Sequence, residues 1–344
     1  MRPVLVSANS TRCLDAMLSS DNPTSGTPGR GAFHQALADA APLHDAGTVV
    51  TIGVFDGVHR GHRHLLRRML ELAEPPLIPT VITFSNHPAE VVNPERTVTK
   101  IITPEEKIRL LHDAGIESVI CVEFTNDIAN LDANEFTHML VDCLHMRGIV
   151  TGPDFALGRN RSGNLDYLQR RGAALGFWVE TVPPLELEGV TVRSRRVRNA
   201  LSDGNVDGAE FLLGRPYATD GIVVHGAKMG RQLGFPTANI IPIANFVIPA
   251  DGVYATYATV NGVRHMAATS IGVRPTFGLS QRLIEAHLLD FSDDIYDENL
   301  KLEFVSRLRG QETFDGIDAL ISQMNRDVAN ARLVLEQHDR QENA

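Results

Sequence analysis

The hydrophobic pattern of this 344-residue chain changes its period once, close to Gly214, and that change constrains the fold more than any single motif. Before it, short β-branched runs at 48–53, 79–84, 118–123 and 148–151 read as strands. Helical patterns lie between them. Residues 61–73 carry Leu65, Leu66, Met69, Leu70 and Leu72 at helical spacing. Thr103-Pro-Glu-Glu opens another helix, with threonine as N-cap, proline in the first turn and Glu106 closing a capping box. Residues 134–146 form a further one. Such alternation predicts a parallel sheet covered on both faces. After Gly214 the runs at 221–224, 252–260, 264–271, 283–291 and 300–304 are strand-like and separated by turn signals such as Asn261-Gly262. They predict a small antiparallel barrel, followed by a helix over 316–337 with Ile317, Leu320, Ile321, Met324 and Val328 on one side. There is no internal repeat, so the expected class is α/β plus β: two different folds rather than a duplication.

The length suits about two domains at roughly 150 residues each. With 43% hydrophobic and 22% charged residues, composition argues against disorder and against a membrane bundle. No apolar run approaches the ~20 residues that span a bilayer. The 32 basic and 42 acidic residues give a formal charge of −10, against a general electrostatic grip on nucleic acid. Cys13, Cys121 and Cys143 form no CxxC pair, which points to reduced thiols and a cytoplasmic location. Residues 1–46 include a run of turn formers over 19–31 and read as a flexible arm. They lack the apolar core of a secretory signal. Ordered structure is expected over 47–214 and 215–344.

Gly53-Val-Phe-Asp-Gly-Val-His-Arg-Gly-His62 sits between a predicted strand and helix, where open α/β sheets place ligands. Gly53 and Gly57 permit close backbone approach. His59 and His62, three residues apart at a helix start, can project together toward a phosphate and stabilise charge developing on a transferring phosphoryl group. In the second half, residues 226–239 read Gly-Ala-Lys-Met-Gly-Arg-Gln-Leu-Gly-Phe-Pro-Thr-Ala-Asn. The string is glycine-rich without being a Walker A loop, and its backbone amides can cradle phosphates. Thr237 and Asn239 are neutral oxygen donors that face the same way in an extended segment and suit one Mg²⁺ that keeps its waters. Glu285, a charge inside an otherwise apolar strand, is a candidate base for a hydroxyl attacking a γ-phosphate.

These strings resemble the bacterial bifunctional riboflavin kinase/FAD synthetases. The histidine motif is similar to that of their adenylyltransferase module, which implies a Rossmann-like nucleotidylyltransferase fold. The resemblance implies catalytic roles for His59 and His62, and nucleotide contacts from Gly53, Phe55, Asp56 and Gly57. Phe84-Ser-Asn-His-Pro88 resembles the family's Phe-x-Pro-His-Pro turn, with Asn86 replacing the first proline. Gly152-Pro-Asp-Phe-Ala-Leu-Gly158 resembles its nucleotide and flavin loop, which implies roles for Asp154, Phe155 and Gly158; Leu157 replaces an aromatic. Arg193-Ser-Arg-Arg-Val-Arg198 stands where the family has a Ser-Ser-Thr-x-x-Arg type turn. Ser194 and Arg198 fit as triphosphate ligands, while Arg193 and Arg195 replace small hydroxyl residues and bring bulk to that turn.

The second-half string resembles the family's ATP–Mg loop. This implies ATP contacts from Gly226, Gly230, Arg231, Gly234, Pro236, Thr237 and Asn239, with Thr237 and Asn239 as metal ligands and Glu285 as base. Arg274 and Arg309 read as structural or rim residues more than ligands. The expected activity is ATP-dependent synthesis of FMN from riboflavin and of FAD from FMN, with ATP as co-substrate, Mg²⁺ as cofactor and neither nucleic acid nor membrane as partner. Arg193 and Arg195 leave open a riboflavin kinase with an impaired adenylyltransferase module. A non-catalytic flavin-binding regulator is the remaining alternative.

Overall fold

The structure is a computed structural model that describes residues 28–40, 46–226, 230, 233–242, 245–276 and 279–342. Chain contacts divide it into two compact units. One contains the described residues up to Val54 with Leu65–Val98 and Ile108–Pro183; the other contains Phe55–His64, Thr99–Lys107 and the described residues from Pro184 on. The first and last strands of the α/β pattern therefore stay together, while the histidine motif and the arginine turn fall in the same unit as the barrel.

The first unit is built on five parallel strands: β1 (Thr48–Ile52), β2 (Ile78–Phe84), β3 (Ser118–Val122), β4 (Met146–Thr151) and β5 (Trp178–Thr181). Their order is β3-β2-β1-β4-β5. Val49, Val50, Val81, Ile82, Ile149 and Val150 are wholly buried, as a sheet covered on both faces requires. Helix α1 (Pro28–Ala40) precedes β1, and α2 (Arg60–Leu72) and α3 (Pro88–Val92) follow the first two strands. Helix α4 (Pro104–Asp113) starts at the expected cap: the Glu106 amide donates to Thr103 Oγ1 at 3.1 Å. Helices α5 (Asn126–Asn130), α6 (Ala133–Leu144) and α7 (Leu165–Leu175) complete this region. Asp132 caps α6 by accepting from the Glu135 amide at 2.8 Å.

The flexible-arm expectation is corrected over 28–40. These residues form α1, and Phe33 and Leu37, one turn apart, are 1% and 0% exposed. They join the core formed with Phe136, Met139 and Leu140, and the Phe33 and Phe136 rings lie 5.1 Å apart. Only two large apolar residues in an i, i+4 pair, eased by Ala36 and Ala40, carry the packing; the turn formers just before them hide that short stripe.

After a short hairpin, β6 (Glu186–Leu187) and β7 (Val190–Thr191), come α8 (Ser194–Ser202) and α9 (Val206–Leu213). The barrel then closes from β8 (Tyr217–Val224), β9 (Ala238–Pro242), β10 (Gly252–Val260), β11 (Val263–Thr276), β12 (Leu279–Leu288) and β13 (Asn299–Arg309), in the order β10-β11-β12-β9-β8-β13. Every pair is antiparallel. Strand β9 adds to the strands the sequence pattern predicts; Pro236 and a glycine-rich stretch just before it mask its period. Helix α10 (Ile317–Glu342) packs on the barrel through Ala331 and Leu335, both fully buried against Ala255, Tyr257 and Val305. Arg309 ties β13 to this helix: Nε and Nη2 donate to the Asp327 carboxylate at 2.9 and 2.7 Å. Asp327 is 5% exposed, so Arg309 is structural, as the sequence suggests.

Candidate functional site

The order β3-β2-β1-β4-β5 reverses direction between β1 and β4, and such a switch point opens a crevice beyond the carboxyl ends of the strands. A cavity of about 920 Å³ lies there in the first unit. Its lining includes Gly53, Phe84, Asp154, Phe155 and Gly158. Gly158 has φ +73°, and a Cβ there would stand 2.7 Å from the Ala133 backbone nitrogen, so the position demands glycine. Leu157, where an aromatic was expected, is 5% exposed and belongs to the core. Asn86 also has a structural job: its side chain donates to the Phe124 carbonyl at 2.9 Å and accepts from the Phe124 amide at 2.7 Å. A proline could make neither bond.

In the other unit, the chain between β1 and α2 takes positive φ at Phe55 (50°), Gly57 (88°) and Val58 (38°). Only glycine accepts that region without strain, and non-glycine residues keep it where surroundings hold them. Three side chains do so. Arg215 Nη2 donates to the Gly57 carbonyl at 2.9 Å, Ser194 Oγ donates to the Asp56 carbonyl at 2.9 Å, and Arg198 Nη1 donates to Asp56 Oδ2 at 2.6 Å. The second oxygen of Asp56 accepts from the Ile101 amide at 2.8 Å. Asp56 is 7% exposed; burial raises its pKa against the pull of Ile101, Arg198 and the buried Lys107. Both oxygens of this carboxylate are thus engaged within the protein.

The rings of His59 and His62 stack 3.6 Å apart, and the His62 amide donates to His59 Nδ1 at 3.2 Å. A neutral His59 therefore carries its proton on Nε2. Burial, aided by Arg215 and Arg198, lowers its pKa to about 4, so the ring is neutral at pH 7. His62 is likewise held well below its ordinary value, by burial first and by His59 and Lys107 next. Of the arginine turn, Ser194 and Arg198 face Asp56 as described, whereas Arg193 and Arg195 are exposed. Arg193 is the N-cap of α8 and makes no capping bond with its side chain.

In the barrel, Asn239 on β9 stands directly opposite Glu285 on β12, and Glu285 is opposite Ser270 on β11. Opposed residues of an antiparallel pair share a face, so the sequence-predicted amide and carboxylate are neighbours. Two cavities meet this region. One, about 310 Å³, is lined by Gly226, Pro236, Thr237, Asn239, Asp293 and Tyr296 among others. The second, about 280 Å³, is lined by Glu285, His287, Phe235, Leu320, Met324 and Val328 among others. Thr237 borders both. A Cβ on Gly226 would stand 2.3 Å from the Asn239 side-chain nitrogen, and one on Gly230 would stand 2.4 Å from the Phe235 carbonyl. Gly234, exposed, takes φ +86°. Arg231 lies outside the described residues. Arg215 matches no motif in the sequence, and only the fold brings it to the Gly57 carbonyl. Lys107 and His287 lie in motifs the sequence displays, at the start of α4 and two residues after Glu285, but neither carries a site role there.

A Rossmann-like switch-point cavity, a buried histidine pair, and a barrel that sets an amide beside a carboxylate define a transferase built from two nucleotide-using folds. The comparisons agree. The sequence model of the FAD synthetase family matches residues 41–196, and that of the riboflavin kinase family matches residues 213–335. The bifunctional riboflavin kinase/FMN adenylyltransferase of Pseudomonas fluorescens is 39% identical over 301 residues, covering 87% of this chain and 96% of the relative. The proteins of the same description from Escherichia coli K12 and Bacillus subtilis are 37% and 34% identical, each covering 83% of this chain and 92% of its own. A solved structure titled as a macrolide-efflux protein from Streptococcus pneumoniae is similar with a TM-score of 0.78 at 32% identity, covering 83% of this chain and 94% of that one. No described helix of the present chain is long and apolar enough to cross a membrane. The chain belongs to the family of bifunctional riboflavin kinase/FMN adenylyltransferases.

Proposed function

We propose that the chain makes flavin cofactors in two steps: residues 215–344 phosphorylate the terminal hydroxyl of riboflavin from ATP to give FMN, and residues 47–214 join FMN to the AMP part of ATP, releasing pyrophosphate and giving FAD. The observation that carries this reading is the register of β9 on β12, which pairs Asn239 with Glu285 beside a threonine that borders two cavities.

In the kinase step Glu285 accepts the proton of the riboflavin hydroxyl as its oxygen attacks the γ-phosphate. The cavity that Glu285 shares with Leu320, Met324 and Val328 offers an apolar wall suited to the flavin ring, and the cavity containing Gly226 and Asn239 takes the nucleotide. Mg²⁺ fits the donors present. Thr237 and Asn239 offer neutral oxygens, and an ion there would complete its shell with substrate phosphates and water. Thr237 and Asn239 would hold it, and the ion when bound neutralises charge on the phosphate chain.

In the adenylyl step neither reaction partner bonds covalently to the enzyme. His59 Nε2–H donates to the α-phosphate or pyrophosphate as a neutral imidazole, and His62 assists it. Arg198, held by Asp56, adds a cation, so Asp56 serves the nucleotide through Arg198 rather than by touching it. Gly53, Phe55, Gly57, Asp154, Phe155 and Gly158 complete the contacts. The exposure of Arg195 removes the expected obstruction and favours an active module over an impaired one. Dependence on ATP suits a cytoplasmic enzyme. Purified protein given riboflavin, ATP and Mg²⁺, with riboflavin, FMN and FAD then separated, tests the reading: both products are expected. FMN without FAD would remove the adenylyl assignment, and neither product would remove both.

A further inference from the structure

Backbone pairing between β9 and β12 joins Ala238, Asn239 and Ile240 to Ala286, Glu285 and Ile284, and ends there. Thr237 lies one residue beyond the ladder. Pro236, before it, has no N–H to offer. A side chain secures this end of the segment instead: His287 Nδ1 lies 2.8 Å from the Pro236 carbonyl oxygen. A carbonyl only accepts, so Nδ1 carries the proton. The Phe235 ring meets the imidazole edge-on, 5.6 Å between centroids, and limits its rotation. His287 lines the same cavity as Glu285 and Thr237.

We infer that His287 is a positioning residue of the kinase reaction. By holding the Pro236 carbonyl it extends the β9–β12 pairing by one bond and fixes where Thr237 presents its hydroxyl to the phosphate chain of ATP. The inference rests on the assignment of Thr237 and Asn239 to ATP made above. It predicts an effect on nucleotide binding and little effect on the proton transfer served by Glu285.

Two amides separate the roles of the two ring nitrogens. In His287→Asn the side-chain N–H stands where Nδ1–H stood; in His287→Gln it reaches the place of Nε2. Steady-state FMN formation is measured on the full chain with riboflavin, ATP and Mg²⁺, and FAD formation from supplied FMN is measured alongside to report folding. His287→Asn should keep the KM for ATP within about twofold of native. His287→Gln and His287→Ala should raise it about five- to tenfold, the scale of one neutral hydrogen bond, with kcat within about threefold. FAD formation should be unchanged in all three. If His287→Ala also loses FAD formation, the Asn–Gln contrast decides alone. The inference is overturned if Gln is native-like and Asn impaired, or if kcat falls with a shifted pH profile at constant KM, since His287 would then act on the reacting groups through Nε2. Native-like behaviour of all three variants overturns it too. A native chain that makes no FMN at all strikes instead at the kinase reading beneath it.

Discussion

The two candidate sites hold their polar groups by opposite means. Around Asp56 the chain turns through three positive-φ residues in four and is kept there by Ser194, Arg198 and Arg215, which lie 138, 142 and 158 residues away from their partners in sequence. In the barrel, Asn239, Glu285 and Ser270 stand on adjacent strands whose ladder bonds set their register. The first arrangement depends on buried charge and on imidazoles kept neutral. The second depends on backbone pairing and one carboxylate. The loop site should therefore respond to pH and to loss of distant partners, and the strand site to loss of single donors or acceptors on the paired strands.

The sharpest test of the strand site is Glu285→Gln. The amide keeps the shape and cannot take a proton, so FMN formation should fall by about 10²–10⁴. Riboflavin and ATP binding should persist, and FAD formation from supplied FMN should be untouched. Undiminished FMN formation would show that the paired strands do not supply the base, and the contrast between the sites would lose its barrel half.

The sequence made the strand site more legible than the loop site, for physical reasons. Glycine spacing and the Thr237–Asn239 pair are local features, and period-2 patterning gave five of the six barrel strands. Strand β9, the one that carries Asn239, was hidden by the proline and glycines before it. The histidine pair was equally local. The partners of Asp56 were not: nothing in Gly-x-Phe-Asp-Gly states that both carboxylate oxygens are used up within the protein. Exposure of Arg195 is also invisible in sequence, where four arginines in six residues read as bulk in a site. Helix α1 has a faint signature, because a run of turn formers leads straight into a single short apolar pair, Phe33 and Leu37.

Helix α1 supplies the next test. Phe33 is buried against Phe136 in the core beside the sheet. Phe33→Ala should cost about 3–5 kcal/mol, the usual range for emptying a buried phenylalanine site. Urea unfolding followed by tryptophan emission is a suitable probe, since Trp178 on β5 is the sole tryptophan. Removing residues 1–46 should destabilise the same unit by at least as much. An unshifted midpoint would mean that α1 is dispensable to the sheet that presents Gly53.

The pH response separates the sites by a smaller margin. His59 is buried neutral with a pKa near 4, against an ordinary value near 6.5. Below pH 6.5 the unfolded chain takes up a proton that the folded chain refuses, so stability is lost as pH falls from 6.5 toward 4. Between pH 7 and 5 this single group should remove about 2 kcal/mol. His59→Gln should flatten that part of the profile while lowering FAD formation by about 10²–10³ and sparing FMN formation. An unchanged pH slope in His59→Gln would show that the ring is solvated, which would contradict a neutral donor in the loop site.

The smallest effect belongs to Arg195. The sequence leaves open that this arginine and Arg193, in place of small hydroxyl residues, impair adenylyl transfer. The structure places Arg195 in solvent and gives the contacts with the histidine loop to Ser194 and Arg198. An exposed cation near a helix N-terminus can still attract a triphosphate, but the attraction is screened beyond about 8–10 Å at physiological ionic strength. Arg195→Thr should therefore raise the KM for ATP in FAD formation by less than about threefold at 0.15 M salt, with kcat unchanged, and the difference should vanish near 0.5 M. Arg198→Ala, measured beside it, should lose activity at every salt concentration, because its partner Asp56 is 7% exposed and loses the guanidinium that donates to its Oδ2. A salt-independent loss in Arg195→Thr equal to that of Arg198→Ala would make Arg195 a direct phosphate ligand. The loop site would then hold its nucleotide from the surface of the arginine turn as well as from its buried side.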